Sequence, residues 1–212
     1  MNKKFLRTVL WSLFVSILLL ACIWLFFKNM ELEDENERYE KYIENIAIQY
    51  MEEVDQSVLF LDDIVQEVSK QNSLTQHQKE DLVETFNNFS LHIQDMQELL
   101  VETTPIEKEE LPIQETVKKA KKYCNHFNRV EMSTKEISFD YMEISTLEEV
   151  KDFTEQLSKV ATVKEEEKEN TWTSTYWKSK LDSYERATYE FKNKYHFLDA
   201  GDFWTETNKT CG

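Results

Sequence analysis

The side chains best suited to hold a metal or move a proton are few in this chain, and their spacing works against them. His77, His92, His126 and His196 are its four histidines. None follows a glutamate by three residues, so the Glu-x-x-His ligand pairs of di-iron helical bundles are missing. HExxH and CxxCH are missing as well, which removes the zincin and c-type haem arrangements. Cys124 and His126 stand two apart, a spacing that on a helix turns them about 200° from one another. Acid pairs such as Asp62 with Asp63, or Glu148 with Glu149, have the groups for general acid and base work. Neighbours on a helix do not face a common point, however, and a chain with 41 acidic residues generates such pairs by chance. Their reading is surface solvation. No catalytic residue, metal site or cofactor site is expected, and the chain is read as a non-enzyme.

Backbone chemistry narrows the field further. Of the two glycines and two prolines, Gly201 and Gly212 sit near the C-terminus, and Pro105 and Pro112 share one connection. The dinucleotide fingerprint, the phosphate-binding loop and the nucleophile elbow all need glycines where the backbone turns sharply or approaches a ligand. Primed hairpin turns lose their preferred residue too, which argues against a sheet-based fold.

Cys124 and Cys211 are the cysteines outside the apolar N-terminal stretch. An oxidising compartment permits a bond between them, which by the chain-entropy estimate contributes roughly 4 kcal/mol. The alternative is a free Cys124 acting as a small buried hydrophobe on its helix seam.

The stretch TVLWSLFVSILLLACIWLFF, residues 8–27, carries no charge and matches a hydrocarbon core of about 30 Å. Lys3, Lys4 and Arg7 precede it, while Glu31, Glu33, Asp34, Glu35 and Glu37 follow. That bias puts the N-terminus in the cytoplasm and the rest outside. Two readings of Cys22 stand. Leu19-Leu20-Ala21-Cys22 resembles the bacterial lipobox, which implies cleavage and acylation at Cys22. Against this, cleavage would leave IWLFF as the first mature residues, where a polar tether is usual, so an uncleaved signal anchor is preferred. Ser12 and Ser16 have the spacing of a small-residue contact between membrane helices.

The expected organisation is a cytoplasmic stub over 1–7, a transmembrane anchor over 8–27, an extracytoplasmic helical bundle over 30–198 and an irregular tail over 199–212. Apolar residues at Tyr39, Ile43, Ile46, Tyr50, Val54, Leu61, Val65 and Val68 form one helical stripe. With no breaker after Phe27, that helix can continue straight from the membrane segment. Thr75 with Gln78 makes a capping box opening a second helix. Its seam, Leu82, Phe86, Phe89, Ile93, Met96 and Leu100, has the alternating four-three spacing of coiled-coil packing. The prolines in TTPIEKEELP, residues 103–112, mark a connection. Ile113, Val117, Ala120, Cys124 and Phe127 carry a third helix, with Lys118, Lys119, Lys121 and Lys122 expected on its solvent side. KEISFDYMEI, residues 135–144, alternates like a strand without an evident partner and is read as an extended crossing. Ser145 with Glu148 is expected to open a fourth helix along Leu147, Val150, Phe153, Leu157 and Val160. Trp177, Leu181, Tyr184, Thr188, Phe191 and Tyr195 define the last. The fold class is therefore all-α: a single membrane helix followed by an up-and-down bundle of four or five helices.

The formal net charge of -16 understates the acidity of the bundle, because Lys3, Lys4, Arg7 and Lys28 all precede the first acid. Nucleic acid and anionic polymers are repelled by such a body. Trp172, Tyr176, Tyr189, Phe203 and Trp204 lie off the last helix's stripe and are candidates for a partner-binding face. The functional expectation is docking to another membrane or envelope protein. The alternative is ligand sensing through a separate signalling partner, since the layout resembles the outer part of bacterial chemoreceptors and sensor kinases in architecture alone.

Overall fold

The computed structural model describes residues 3–103, 113–132, 134–138, 141–162, 174–195 and 211. Five helices and two short strands follow in the order α1 (Lys3–Gln71), β1 (Ser73–Thr75), α2 (Gln76–Thr103), α3 (Gln114–Arg129), β2 (Glu136–Ser138), α4 (Tyr141–Ala161) and α5 (Ser174–Lys194). The chain is all-α in class. It divides into two compact units, Met1–Glu44 and Asn45–Gly212, and α1 supplies residues to both.

In the first unit, α1 holds the one helical segment among the described residues that is long and apolar enough to cross a membrane. Its large side chains are open on all sides, including Leu18, Leu20, Trp24, Leu25 and Phe27. An apolar surface with no protein against it is unfavourable in water and needs no compensation in lipid.

The second unit begins with the remainder of α1, whose Val54, Leu61, Val65 and Val68 are fully buried. Val58, at 0% exposure, fills the gap of seven in the expected stripe. The helix stops at Gln71 because Asn72 takes a left-handed φ of 51°, a conformation that asparagine tolerates better than other side chains do. Thr75 then opens α2 as the sequence predicts. The Gln78 N–H donates to Thr75 Oγ1 at 3.2 Å, and the Thr75 N–H donates to Gln78 Oε1 at 3.0 Å. All six seam residues of α2 are completely buried.

Two expectations about the middle of the chain are corrected. The alternating segment does have a strand partner: β2 pairs antiparallel with β1, placing Leu74 opposite Ile137. This three-residue ribbon ties the α1–α2 turn to the α3–α4 connection, so both lie at one end of the bundle. The ladder is short because Ser73, opposite Ser138, directly follows the left-handed turn at Asn72, and Thr75, opposite Glu136, leads into α2. The second correction follows, since the chain is released after Ser138 and α4 has begun by Tyr141. Ser145 is therefore inside the helix and does not cap it.

Helix α5 runs antiparallel to α4, with Lys180 at Val160 and Lys194 at Asp152. It satisfies exposed backbone ends of two other helices. The Glu185 carboxylate accepts the Glu115 and Thr116 N–H groups at 3.1 and 3.0 Å and the Thr116 hydroxyl at 2.8 Å. It thereby supplies the start of α3 with the cap that Ile113 cannot provide. The Lys180 ammonium donates to the Val160 carbonyl at 2.8 Å, in the last turn of α4, and pairs with Asp55 of α1 at 3.3 Å.

Tyr184 donates its phenolic hydrogen to the same Asp55. Burial first, and the Asp55 charge second, push the Tyr184 phenol well above its ordinary value of 10.0. The folded phenol keeps its proton where the unfolded one loses it. Its contribution to stability is therefore complete below about pH 10 and is lost as pH rises from there toward the folded value. Thermal unfolding followed between about pH 9 and pH 11 should fall more steeply for the wild type than for Tyr184→Phe. Parallel slopes for the two proteins contradict this assignment.

Candidate interaction groove

Helices α2 and α3 pack through rings: Phe86 lies 5.7 Å from Tyr123 and 6.2 Å from Phe127, centroid to centroid. Tyr123 continues the cluster to Phe153 at 5.3 Å, and Phe153 to Phe191 at 5.3 Å. These contacts press the apolar stripe of α3 inward, with Ile113, Ala120 and Cys124 at 0% exposure. The flank of the same helix is left beside α2.

A groove of about 570 Å³ opens along that flank. It is lined by Gln114, Val117, Lys118, Lys121, Lys122 and Asn125 of α3 and by Gln94 and Gln97 of α2. Although the Glu149 carboxylate stands 4.0 Å from the Lys122 ammonium, none of the described residues that line the groove is acidic. In a chain with a net charge of -16, it is a local positive site with neutral donors and acceptors between the charges. Ammonium groups and amide N–H groups together suit carboxylate or phosphate oxygens, which accept several hydrogen bonds at once.

The lysine row is divided differently from the sequence expectation. Lys119 does not face solvent; it is buried at 6% exposure, 3.6 Å from Glu149 and with its ammonium 5.4 Å from the centre of the Phe191 ring. Glu149 in turn accepts the Tyr123 hydroxyl at 2.7 Å and has Lys122 at 4.0 Å. Lys119 is the lysine turned inward because it lies one helical turn from both Thr116 and Tyr123 on the buried side of α3. The surface reading of Glu149 is corrected with it, while its neighbour Glu148 is exposed.

The other acid pair is split in the same way: Asp63 is exposed and Asp62 half-buried, accepting Thr154 Oγ1 at 3.2 Å and Gln66 Nε2 at 2.9 Å. Loss of water raises the Asp62 carboxyl above its ordinary value, against the pull of those two hydrogen bonds.

Cys124 and Cys211 are joined by a disulfide with a Cα–Cα distance of 6.3 Å across 87 residues of sequence. The Cys211 N–H donates to Asn125 Oδ1 at 2.9 Å. Because Asn125 lines the groove, the C-terminal cysteine is held at its edge. Cys22 is a free, exposed thiol on α1. Of the five aromatic candidates, Tyr189 is 48% exposed on α5 and Tyr176 half-buried on the same helix. Trp172, Phe203 and Trp204 lie outside the described residues, as do His196 and most of the 199–212 tail. The remaining histidines are dispersed: His77 sits 3.5 Å from Asp81, His92 sits 3.3 Å from Glu53 and stacks on Tyr50, and His126 packs edge-on to Phe127. No group of three or more potential metal ligands occurs among the described residues.

Sequence reasoning found the lysines and missed the wall opposite. Gln94 and Gln97 are three apart, flanking Ile93 and Met96 of the α2 seam, and that spacing was the available signal. No protein-family model matches the chain, and no curated protein or solved structure is similar to it.

The division of the lysines has a measurable consequence. Lys119→Ala removes one half of a buried pair and should cost about 2–3 kcal/mol, less than a wholly orphaned charge because Tyr123 and Lys122 still face Glu149. Lys118→Ala should stay within about 0.5 kcal/mol of wild type. Denaturant titration of the two variants decides the matter, and equal effects contradict the division.

Proposed function

We propose that this chain is a non-enzymatic docking module, tethered by residues 8–27 to a membrane with its N-terminus in the cytoplasm and its acidic helical body outside. There it takes an acidic segment of another membrane or envelope protein into the α2–α3 groove. The observation that carries the reading is the groove itself, whose described lining holds three lysines, four amide side chains and no acid on a chain of strongly negative net charge.

Charge selects the occupant. The body as a whole repels long anionic polymers, so the groove is open to a short acidic segment whose charges are concentrated where the lysines are. The acidic outer faces steer basic regions of the same partner. The exposed Tyr189 ring on α5 adds rigid apolar contact area. The single apolar helix near the N-terminus and the cations that precede it support the membrane placement and its orientation. On this reading Cys22 remains in an uncleaved anchor; acylation at Cys22 would deliver the same body to the same side.

A volume of about 570 Å³ also falls within the roughly 300–1,000 Å³ of small-molecule sites. This favours ligand sensing through a separate signalling partner as the second reading, with a small dicarboxylate or phosphate compound as the occupant.

A fluorescent glutamate-rich peptide titrated against the full chain in mild detergent tests the first reading. Binding should weaken as salt rises. It should fall by roughly tenfold or more in the combined Lys118→Glu, Lys121→Glu and Lys122→Glu variant. A control changing the exposed Lys70 and Lys159 to Glu should bind as wild type does. Equal binding by the groove variant and the control contradicts the proposal. Thermal stabilisation by small dianions, with no peptide binding, selects the sensing reading.

A further inference from the structure

The part of α1 within Met1–Glu44 carries a second pattern, which overlaps the membrane segment at its start and the α1 stripe at Tyr39 and Ile43 but continues between them, where neither requires it. Leu18, Leu25, Leu32 and Tyr39 recur every seven residues, and Cys22, Asn29, Asn36 and Ile43 recur every seven between them. The combined steps alternate four and three, the repeat that keeps one seam facing a neighbouring helix. This face is open from Leu18 to Tyr39, with Leu18 48% exposed, Leu25 59%, Leu32 52% and Tyr39 62%, and Ile43 is half-buried. Cys22, Asn29 and Asn36 are exposed as well.

We infer that this face is the contact between two copies of the chain, which pair as a parallel, in-register coiled coil over Leu18–Ile43. Two observations select a second copy over any other occupant. Leucine holds the first series at three successive positions, while asparagine holds the second at two. An asparagine in that place is the device that fixes register and two-strandedness in parallel dimers, at a cost in stability, because each amide is satisfied by its own counterpart. An unrelated apolar groove gives Asn29 and Asn36, which lie past the 8–27 segment, no such partner.

Charge adds a self-complementary contact. In this register Lys28, beside the seam on one copy, faces Glu33 of the other, and the pair occurs twice by symmetry. Within one chain Lys28 bonds Glu31 at 2.6 Å on an exposed surface, an interaction weak enough to exchange. Glu35 facing Glu40 opposes pairing, so the asparagines and leucines must set the register.

Orientation is supplied by the membrane. Two chains inserted with the same topology stand parallel, with their seams at the same depth, before they meet. The Ser12 and Ser16 spacing lies on a different face and would give another crossing. The inference is independent of the α2–α3 groove.

The test uses the full chain in native membranes, cross-linked with a mild thiol oxidant. Cys22 is the reactive thiol available, since Cys124 and Cys211 are bonded to each other. In a Cys22→Ser background, Asn29→Cys, Leu32→Cys and Asn36→Cys should each give a covalent dimer, and Asp34→Cys and Lys41→Cys should give little. Lys28→Glu should lower the dimer yield at position 32 by roughly fivefold, and adding Glu33→Lys should restore it. Cross-linking that is uniform around the helix, that peaks at Ser16→Cys, or that is absent from the seam positions overturns the inference. Failure of the charge swap to restore the yield overturns the parallel register.

Discussion

A carboxylate on the last helix holds the start of the third, and the candidate site depends on it. Helix α3 follows a proline-bounded connection and opens on Ile113, which has no side-chain oxygen to offer the exposed N–H groups. Glu185 supplies both oxygens from across the bundle. That contact sets where α3 begins along α5, and so where its lysines, Asn125 and Cys124 stand relative to α2. Lys180 does the equivalent at the other kind of helix end, on the Val160 carbonyl of α4. Apolar seams alone permit sliding by a turn at modest cost. Buried charged groups that must meet particular backbone atoms do not, because a displaced Glu185 or Lys180 would be left dry and unpaired.

These polar ties also account for what could and could not be read from the residue order. Periodicity is local, and the α2 seam, the stripe of α1 and the capping box at Thr75 were legible because each is written within a dozen residues. The β1–β2 ribbon was not, since Leu74 and Ile137 are brought together only by the tertiary fold. Ser145 carries a capping signature that the chain does not use; the short ladder ends before the signal is reached, and α4 starts upstream. Lys119 and Glu149 were assigned to solvent by residue type, and only the packing of Phe191, Tyr123 and α4 around them shows that they are buried. The bond between Cys124 and Cys211 was one of two readings open in the sequence, because proximity across 87 residues is a property of the fold.

The candidate site was half visible. Three lysines on one flank of α3 stand out in an acidic chain, but a row of cations becomes a groove only when another helix supplies a wall. Gln94 and Gln97 do so without changing the charge, leaving a site whose described lining is cationic and amide-rich. Such a site presents its charge against a repulsive background, which sharpens selection for a compact acidic ligand over a diffuse one. The exposed seam on α1 is different in kind, alternating leucines with asparagines at heptad spacing, and it sits in the unit that carries the membrane-length helix.

The central claim is that the helical body, groove included, lies on the far side of the membrane from the N-terminus. Treating intact cells with a membrane-impermeant amine reagent, and reading the modified lysines peptide by peptide, tests it most directly. The account predicts label on Lys118, with Lys3 and Lys4 modified only after the cells are opened. Label on Lys3 and Lys4 in intact cells, with Lys118 protected until lysis, would contradict it.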